Sequence, residues 1–249
     1  MFDMNIPHFY AVIIGTEILN GRRNDKHFDF LKTALAPYGH TLFASLVIKD
    51  DPVLIASTYR MVKNDPDAVM FSFGGIGSTP DDLTRPIAAD VFTHGPLRRH
   101  SKFEQDILER FGEAAFPHRI HMADLPEGAA LLKNPVNNMS GFALEARYFF
   151  VPGFPEMAHP MIRDVLQTHF FDARAFHRRT LVAETSENTL IDVMKRVPDD
   201  VEFSSLPMMQ GGLPRVEISV AGTDSETVAS AFGLFVDFLV SERIGYQML

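Results

Sequence analysis

The chain has 249 residues, enough for one large domain and a smaller one, and its 46% hydrophobic and 22% charged residues are the balance of an ordinary folded protein. A net charge of -9 argues against nucleic acid or an anionic membrane surface as partner, since phosphate backbones are held chiefly by lysine and arginine. The absence of cysteine excludes disulfides, thiolate nucleophiles and cysteine-ligated zinc; with no apolar run long enough for a membrane span and no signal-peptide plan at the N-terminus, the expected compartment is the cytoplasm.

Residues 9–14 (FYAVII) form an apolar run closed by Gly15, the pattern of a buried strand in a parallel sheet. The exit loop sets Glu17 just past the strand end, at the edge where ligands of open α/β sheets bind. Residues 25–38 follow as a helix with Phe28, Phe30, Leu31, Ala34 and Leu35 on one stripe and Gly39 as its stop; His27 reads as a helix-surface residue. Residues 41–48 are a second strand, and Asp50-Asp51-Pro52 opens a helix reaching about Lys63. The two acids either cap that helix or, for Asp50, stand at a strand's carboxyl end beside Glu17.

Residues 69–85 (VMFSFGGIGSTPDDLTR) run from apolar strand to glycine turn to paired acids. Gly74, Gly75 and Gly77 let the backbone turn sharply and approach a ligand without a side chain in the way. Thr79 is placed to cap a helix whose first turn is Pro80, Asp81 and Asp82, and free N–H groups at such a helix start suit an anion. Two carboxylates beside a phosphate pocket imply a cation between them or an oriented water. An ordinary strand-to-helix turn capped by acids explains the spacing equally well.

Helix patterns continue over residues 83–92 and Ser101–Phe111, followed by Pro117-His118-Arg119-Ile120-His121, whose histidines could meet a phosphate or a metal but more often fill surface or core. Short strands are expected at residues 129–132, 142–145 and Tyr148–Val151. Pro152-Gly153-Phe154-Pro155 then turns into a helix ending about Phe170, offering a second backbone pocket near the first. From about Phe171 the pattern becomes strand (176–184), helix (189–196), two strands (201–206 and 215–221) joined by the Gly211-Gly212 turn, and a long helix (226–243). The expected architecture is therefore a three-layer α/β/α sandwich over residues 1–171 and a small α+β domain over residues 172–249, with Met208 and Met209 as interface or gap-filling residues.

These motifs, in order, resemble a known family. Gly15-Thr16-Glu17-Ile18-Leu19, Asp50-Asp51, the run from Gly74 to Arg85, Leu125-Pro126-Glu127-Gly128-Ala129, Asn134-Pro135 and Pro152-Gly153-Phe154-Pro155-Glu156-Met157 are similar to the molybdopterin-binding fold of MogA, MoaB and especially CinA (competence/damage-inducible) proteins. The tail resembles the KH-like middle domain of CinA, and the resemblance implies that the C-terminal nicotinamide-mononucleotide deamidase domain is lacking. An RNA role for that tail is disfavoured, because the Gly-x-x-Gly clamp is missing and the chain is acidic.

Two activities follow from the resemblance. CinA relatives are similar to metal-dependent ADP-ribose pyrophosphatases, which release AMP and ribose 5-phosphate; MogA-like relatives bind molybdopterin and activate it through an adenylylated intermediate. The resemblance implies Asp81, Asp82, Glu17 and Asp50 as catalytic residues, Asp81 and Asp82 as holders of a divalent metal (Mg, Mn, Co or Ni), and Gly15, Gly74, Gly75, Gly77, Ser78, Thr79, Pro152, Gly153 and Arg85 as ligand-binding residues. It also implies a homo-oligomer and a small-molecule partner, a nucleotide diphosphate or a pterin. CinA proteins usually carry Asp where this chain has Thr16 and Pro where it has Ser78; the first change removes one cation ligand. The resemblance thus implies either hydrolysis of a nucleotide diphosphate or pterin binding without catalysis.

Overall fold

In the first strand every second side chain faces the same way. Tyr10, Val12 and Ile14 pack with Ile55, Tyr59 and Val62, whereas Phe9, Ala11 and Ile13 pack with Leu31, Leu35 and Ile162. A strand covered on both faces requires that alternation, and it makes the run continuously apolar. The computed structural model describes residues 6–171 and 175–249, and the chain divides into two compact units, Met1–Phe171 and Asp172–Leu249.

The first unit opens with β1 (His8–Ile14), a short helical turn α1 (Thr16–Leu19), α2 (His27–Leu35) and β2 (Leu42–Ile48), then α3 (Pro52–Lys63) and β3 (Ala68–Phe73). After α4 (Thr84–Ala88), the two-residue strands β4 (Arg98–Arg99) and β5 (Asp124–Leu125) pair across α5 (Ser101–Phe111). Strands β6 (Ala130–Leu132), β7 (Gly141–Leu144) and β8 (Tyr148–Val151) precede α6 (Pro155–His169). The sheet runs β2-β1-β3-β8-β7-β6. Its first four strands are parallel, and β7 and β6 turn back antiparallel, so the sheet is mixed rather than wholly parallel.

Helices α2 and α6 cover one face, and α3, α4 and α5 cover the other, giving the three-layer sandwich. Fully buried phenylalanines (Phe9, Phe71, Phe73, Phe142, Phe149 and Phe150) fill both interfaces, each contributing on the order of 2 kcal/mol of apolar burial. The one polar residue in the middle of β3, Ser72, is buried but satisfied: its hydroxyl meets the Tyr59 hydroxyl at 2.7 Å.

The second unit contains β9 (His177–Ala183), α7 (Glu187–Met194), β10 (Glu202–Gln210), β11 (Leu213–Gly222), α8 (Ser225–Ser241) and β12 (Tyr246–Met248). All strands pair antiparallel in the order β10-β11-β9-β12, the connectivity of a split β-α-β unit. Strand β10 runs four residues past the expected end, taking Met208 and Met209 into the ladder, and β12 adds an edge strand beyond the last predicted helix.

Candidate functional site

At the carboxyl end of β3 the chain bends through Gly74 and Gly75, with φ of 98° and 66°. A Cβ on Gly74 would stand 2.6 Å from the carbonyl oxygen of Ile14, so the loop passes the end of β1 at a distance that only glycine permits. Gly77 answers to a different constraint. A Cβ there would stand 2.5 Å from the Asp82 carboxylate, which accepts from the Gly77 amide (2.8 Å), the Thr79 amide (2.8 Å) and the Thr79 hydroxyl (2.7 Å). Behind it, the Thr84 hydroxyl donates to the Gly74 carbonyl at 2.9 Å and the Thr84 amide to the Gly75 carbonyl at 3.0 Å.

These bonds correct the expected helix start. Residues 80–82 form a turn, α4 begins at Thr84 and is five residues long, and Thr79 donates to Asp82 instead of capping a helix. The physical reason is the local bonding of Asp82, which satisfies two loop amides and so competes with helix formation. The anion-binding helix terminus expected at Pro80 is therefore not formed.

Asp50 and Asp51, ambiguous in the sequence, divide their work. Asp51 is the N-cap of α3, accepting from the Leu54 amide at 2.8 Å, with Pro52 in the first turn. Asp50 turns the other way: its Oδ2 accepts from the Thr16 amide and hydroxyl, both at 2.8 Å, and its own amide donates to the Thr16 hydroxyl at 3.2 Å. That pairing ties the exits of β1 and β2 together.

A cavity of about 560 Å³ opens at these strand ends. One wall consists of Gly74, Gly75, Gly77, Ser78 and Thr79; Pro152 and Gly153 face it from β8, and Glu17, Asp50, Asp81 and Asp82 reach it from three different loops. The size suits a nucleotide-sized ligand. Of the residues expected there, Gly15 and Arg85 are not on the wall. Gly15 is the turn on which Glu17 folds back, since a Cβ at Gly15 would lie 3.1 Å from the Glu17 carboxylate. Arg85 is buried behind the loop, its Nη1 donating to the Ile76 carbonyl.

The rest of the lining lies where periodicity suggests only core. Phe103 and Phe111 of α5, Met122, Met139 and Met157 form an apolar wall, and Arg23 lies 5.0 Å from the ring centre of the half-exposed Phe154 at the rim. Phe154 and Met157 stand in the second strand-to-helix turn, so their motif was visible in the sequence; the α5 pair carried no such sign.

The four acids differ in freedom. Both oxygens of Asp82 are occupied by loop donors and one oxygen of Asp50 by Thr16, whereas Glu17 has Arg23 at 3.7 Å. Asp81 is exposed, and the Thr79 hydroxyl and its own backbone amide hold it below the usual carboxylate range; the two adjacent carboxylates compete for that hydroxyl. Among the described residues, three side chains that could share a metal ion meet at His8, Asp65 and Asp67, not at Asp81 and Asp82. The cavity residues thus fit a divalent ion only in the manner usual for magnesium, one or two carboxylates supplemented by a ligand's phosphate oxygens.

His27 also departs from expectation. It is 3% exposed, stacks on Phe73 at 4.2 Å, and its Nε2 stands 3.3 Å from the Gly153 carbonyl, with His159 Nε2 at 3.2 Å from its Nδ1. Asp25 causes this by accepting from the His27 and Phe28 amides, which starts the helix at His27 and turns that side chain inward. Burial, the largest influence on both rings, pulls His27 below its ordinary value and His159 to about 4.

Residues 10–170 match the family described as "Probable molybdopterin binding domain". A CinA-like protein of Acaryochloris marina is 29% identical over 229 residues, 87% of this chain and 54% of that protein. Another, of Citrifermentans bemidjiense, is 32% identical over 160 residues, 61% of this chain and 38% of its own length. The crystal structure of the protein CinA from Thermoplasma acidophilum matches with a TM-score of 0.58 and 25% identity, over 64% of this chain and 97% of that one. The chain spans about half, or less, of the length of the curated relatives it matches. Among the described residues no helix is long and apolar enough to cross a membrane. Because the match runs from β1 to the end of α6 and includes every residue of the cavity wall, the chain belongs to the molybdopterin binding domain family, and CinA-like proteins are among its homologues.

Proposed function

We propose that the cavity binds a nucleotide diphosphate, with ADP-ribose as the representative substrate, and hydrolyses its diphosphate to AMP and ribose 5-phosphate. The observation that carries this reading is the composition of the cavity lining. The glycine loop with acids around the same cavity suits a diphosphate bridged to them by a cation, and the apolar lining of Phe103, Phe111, Met122 and Met157 suits a flat ring. Glu17 is the assigned base: it takes a proton from the attacking water, whose oxygen bonds to phosphorus as the bridging P–O bond breaks and the charge passes to the leaving phosphate. Asp50 is less available, because one of its oxygens already accepts two Thr16 donors. Asp81 would hold a magnesium-like ion jointly with substrate oxygens, and such an ion supplies neutralisation of the charge developing on the diphosphate.

The Asp50–Thr16 pairing favours a second reading, a pterin-binding module without hydrolysis, since it occupies a carboxylate at the position where CinA proteins usually offer two. The test is AMP release from ADP-ribose with Mg, Mn, Co or Ni, comparing wild type with Glu17→Gln and Asp81→Asn. Loss of at least 100-fold in Glu17→Gln with AMP binding retained supports hydrolysis. No turnover in any metal, together with saturable pterin binding, would establish the module instead.

A further inference from the structure

A second cavity, of about 630 Å³, shares Ser78, Thr79 and Arg119 with the first but is otherwise separate. It is lined by Arg85, His118, Arg119 and His121, and no aspartate or glutamate is among its lining residues. In a chain of net charge -9, that concentration of basic groups is notable.

Arg85 is the centre of the case. It is 6% exposed, its Nη1 meets only the Ile76 carbonyl, and its Nε has no hydrogen-bond partner. Among the described residues no carboxylate lies within 4.0 Å of it, whereas buried charges are ordinarily paired. Burial lowers its proton affinity, and Asp82 and Asp124 oppose that only through space. Both acids are engaged elsewhere. Asp82 accepts three loop donors, and Asp124 accepts from Arg99 and pairs with His121 Nδ1 at 2.8 Å. Arg119, exposed, donates to the Ala114 carbonyl at 2.7 Å and lies 4.9 Å from the Phe111 ring centre, leaving its remaining donors for a ligand.

We infer that this second cavity is an anion subsite in which Arg85 and Arg119 hold a phosphate group, supplied either by inorganic phosphate or by a ligand seated in the main cavity. Arginine's planar fork matches phosphate geometry, and a phosphate would provide the counter-charge that the buried guanidinium lacks. The subsite stands whether or not the main cavity turns over its ligand.

The test is titration of the full chain with inorganic phosphate in chloride buffer, followed by calorimetry or phosphorus NMR. Saturable binding is expected, weakened at least tenfold in Arg119→Ala and abolished in Arg85→Met. Should Arg85→Met fail to fold, Arg85→Lys, which keeps the charge and loses the fork, is expected to weaken binding about tenfold. Absence of saturable binding, or equal binding in wild type and both variants, overturns the subsite. Phosphate bound equally by free and AMP-saturated protein identifies free phosphate as the occupant. Competition by AMP in the wild-type protein, with AMP affinity weakened about tenfold in Arg119→Ala and in Arg85→Lys, identifies the ligand's own phosphate as the occupant, whereas competition with AMP affinity unchanged in both variants overturns the assignment. AMP release from ADP-ribose without any phosphate binding would sink the subsite and leave the hydrolase standing; phosphate binding without turnover would do the reverse.

Discussion

Each unit has a pair of adjacent glycines with positive φ: Gly74-Gly75 at 98° and 66°, and Gly211-Gly212 at 61° and 80°. In the sequence the two look alike, apolar strand residues followed by a glycine pair. The second pair closes the two-residue hairpin between β10 and β11, where left-handed residues match the twist of the strands, and a Cβ at either position would meet nothing within 4 Å. The first pair is pressed against other chain segments, with the Ile14 carbonyl 2.6 Å from a Cβ on Gly74 and the Thr84 hydroxyl 2.5 Å from one on Gly75. One pair serves only the turn, while the other also serves an approach of three segments that forms a cavity wall.

The most forceful way to break this comparison is Gly74→Ala. It combines a left-handed backbone with a clash against fixed backbone and should cost about 3 kcal/mol, read by denaturant unfolding, together with loss of ligand binding. Asp82→Ala comes next, at about 2 kcal/mol, because the amides of Gly77 and Thr79 lose their acceptor. Its signature is faster amide exchange across residues 75–84 while α8 stays protected.

The third test uses pH. Burial keeps His27 and His159 below the ordinary value of 6.5, His159 at about 4. The unfolded chain therefore takes up protons near pH 6.5 that the folded first unit resists at both rings, at His159 until about 4. Stability should be fully present above 6.5 and decline as pH falls from 6.5 toward 4. Hydrogen exchange should show this in the first unit and not in the second, whose one histidine is His177; His159→Phe should flatten the profile. The smallest effect belongs to Gly212→Ala, which meets open space and bears only the cost of the left-handed backbone, about 1 kcal/mol, with ligand binding unchanged.

Much of the site's location was legible because strand ends and glycine turns are local signals. The run at residues 9–14, the strand at Ala68–Phe73 and the Pro152-Gly153 turn place Glu17, Asp50, Asp81 and Gly153 at one sheet edge once the strands are parallel. The Pro80 helix start was misleading, because a Thr-Pro-Asp-Asp run reads as a cap by propensity while the Asp82 carboxylate is bonded back to Gly77. His27 was misplaced for a related reason, since one acid two residues earlier decides where the helix begins and which way the ring points. The tight turn between β7 and β8 carries no glycine or asparagine; Glu145 and Ala146 take φ of 54° and 52° there, so the antiparallel return of the sheet had no local sign.

By itself the sequence determined most of the elements and the three layers, because periodicity and glycine punctuation depend on nearest neighbours along the chain. Tertiary structure alone decided which acid is free and which is spent, Glu17 against Asp50 and Asp82, because the donors that occupy a carboxylate reach it in space. The same is true of Arg85, which the resemblance implied as a ligand-binding residue but whose charge becomes a buried, unpaired one only when α4 packs beneath the loop.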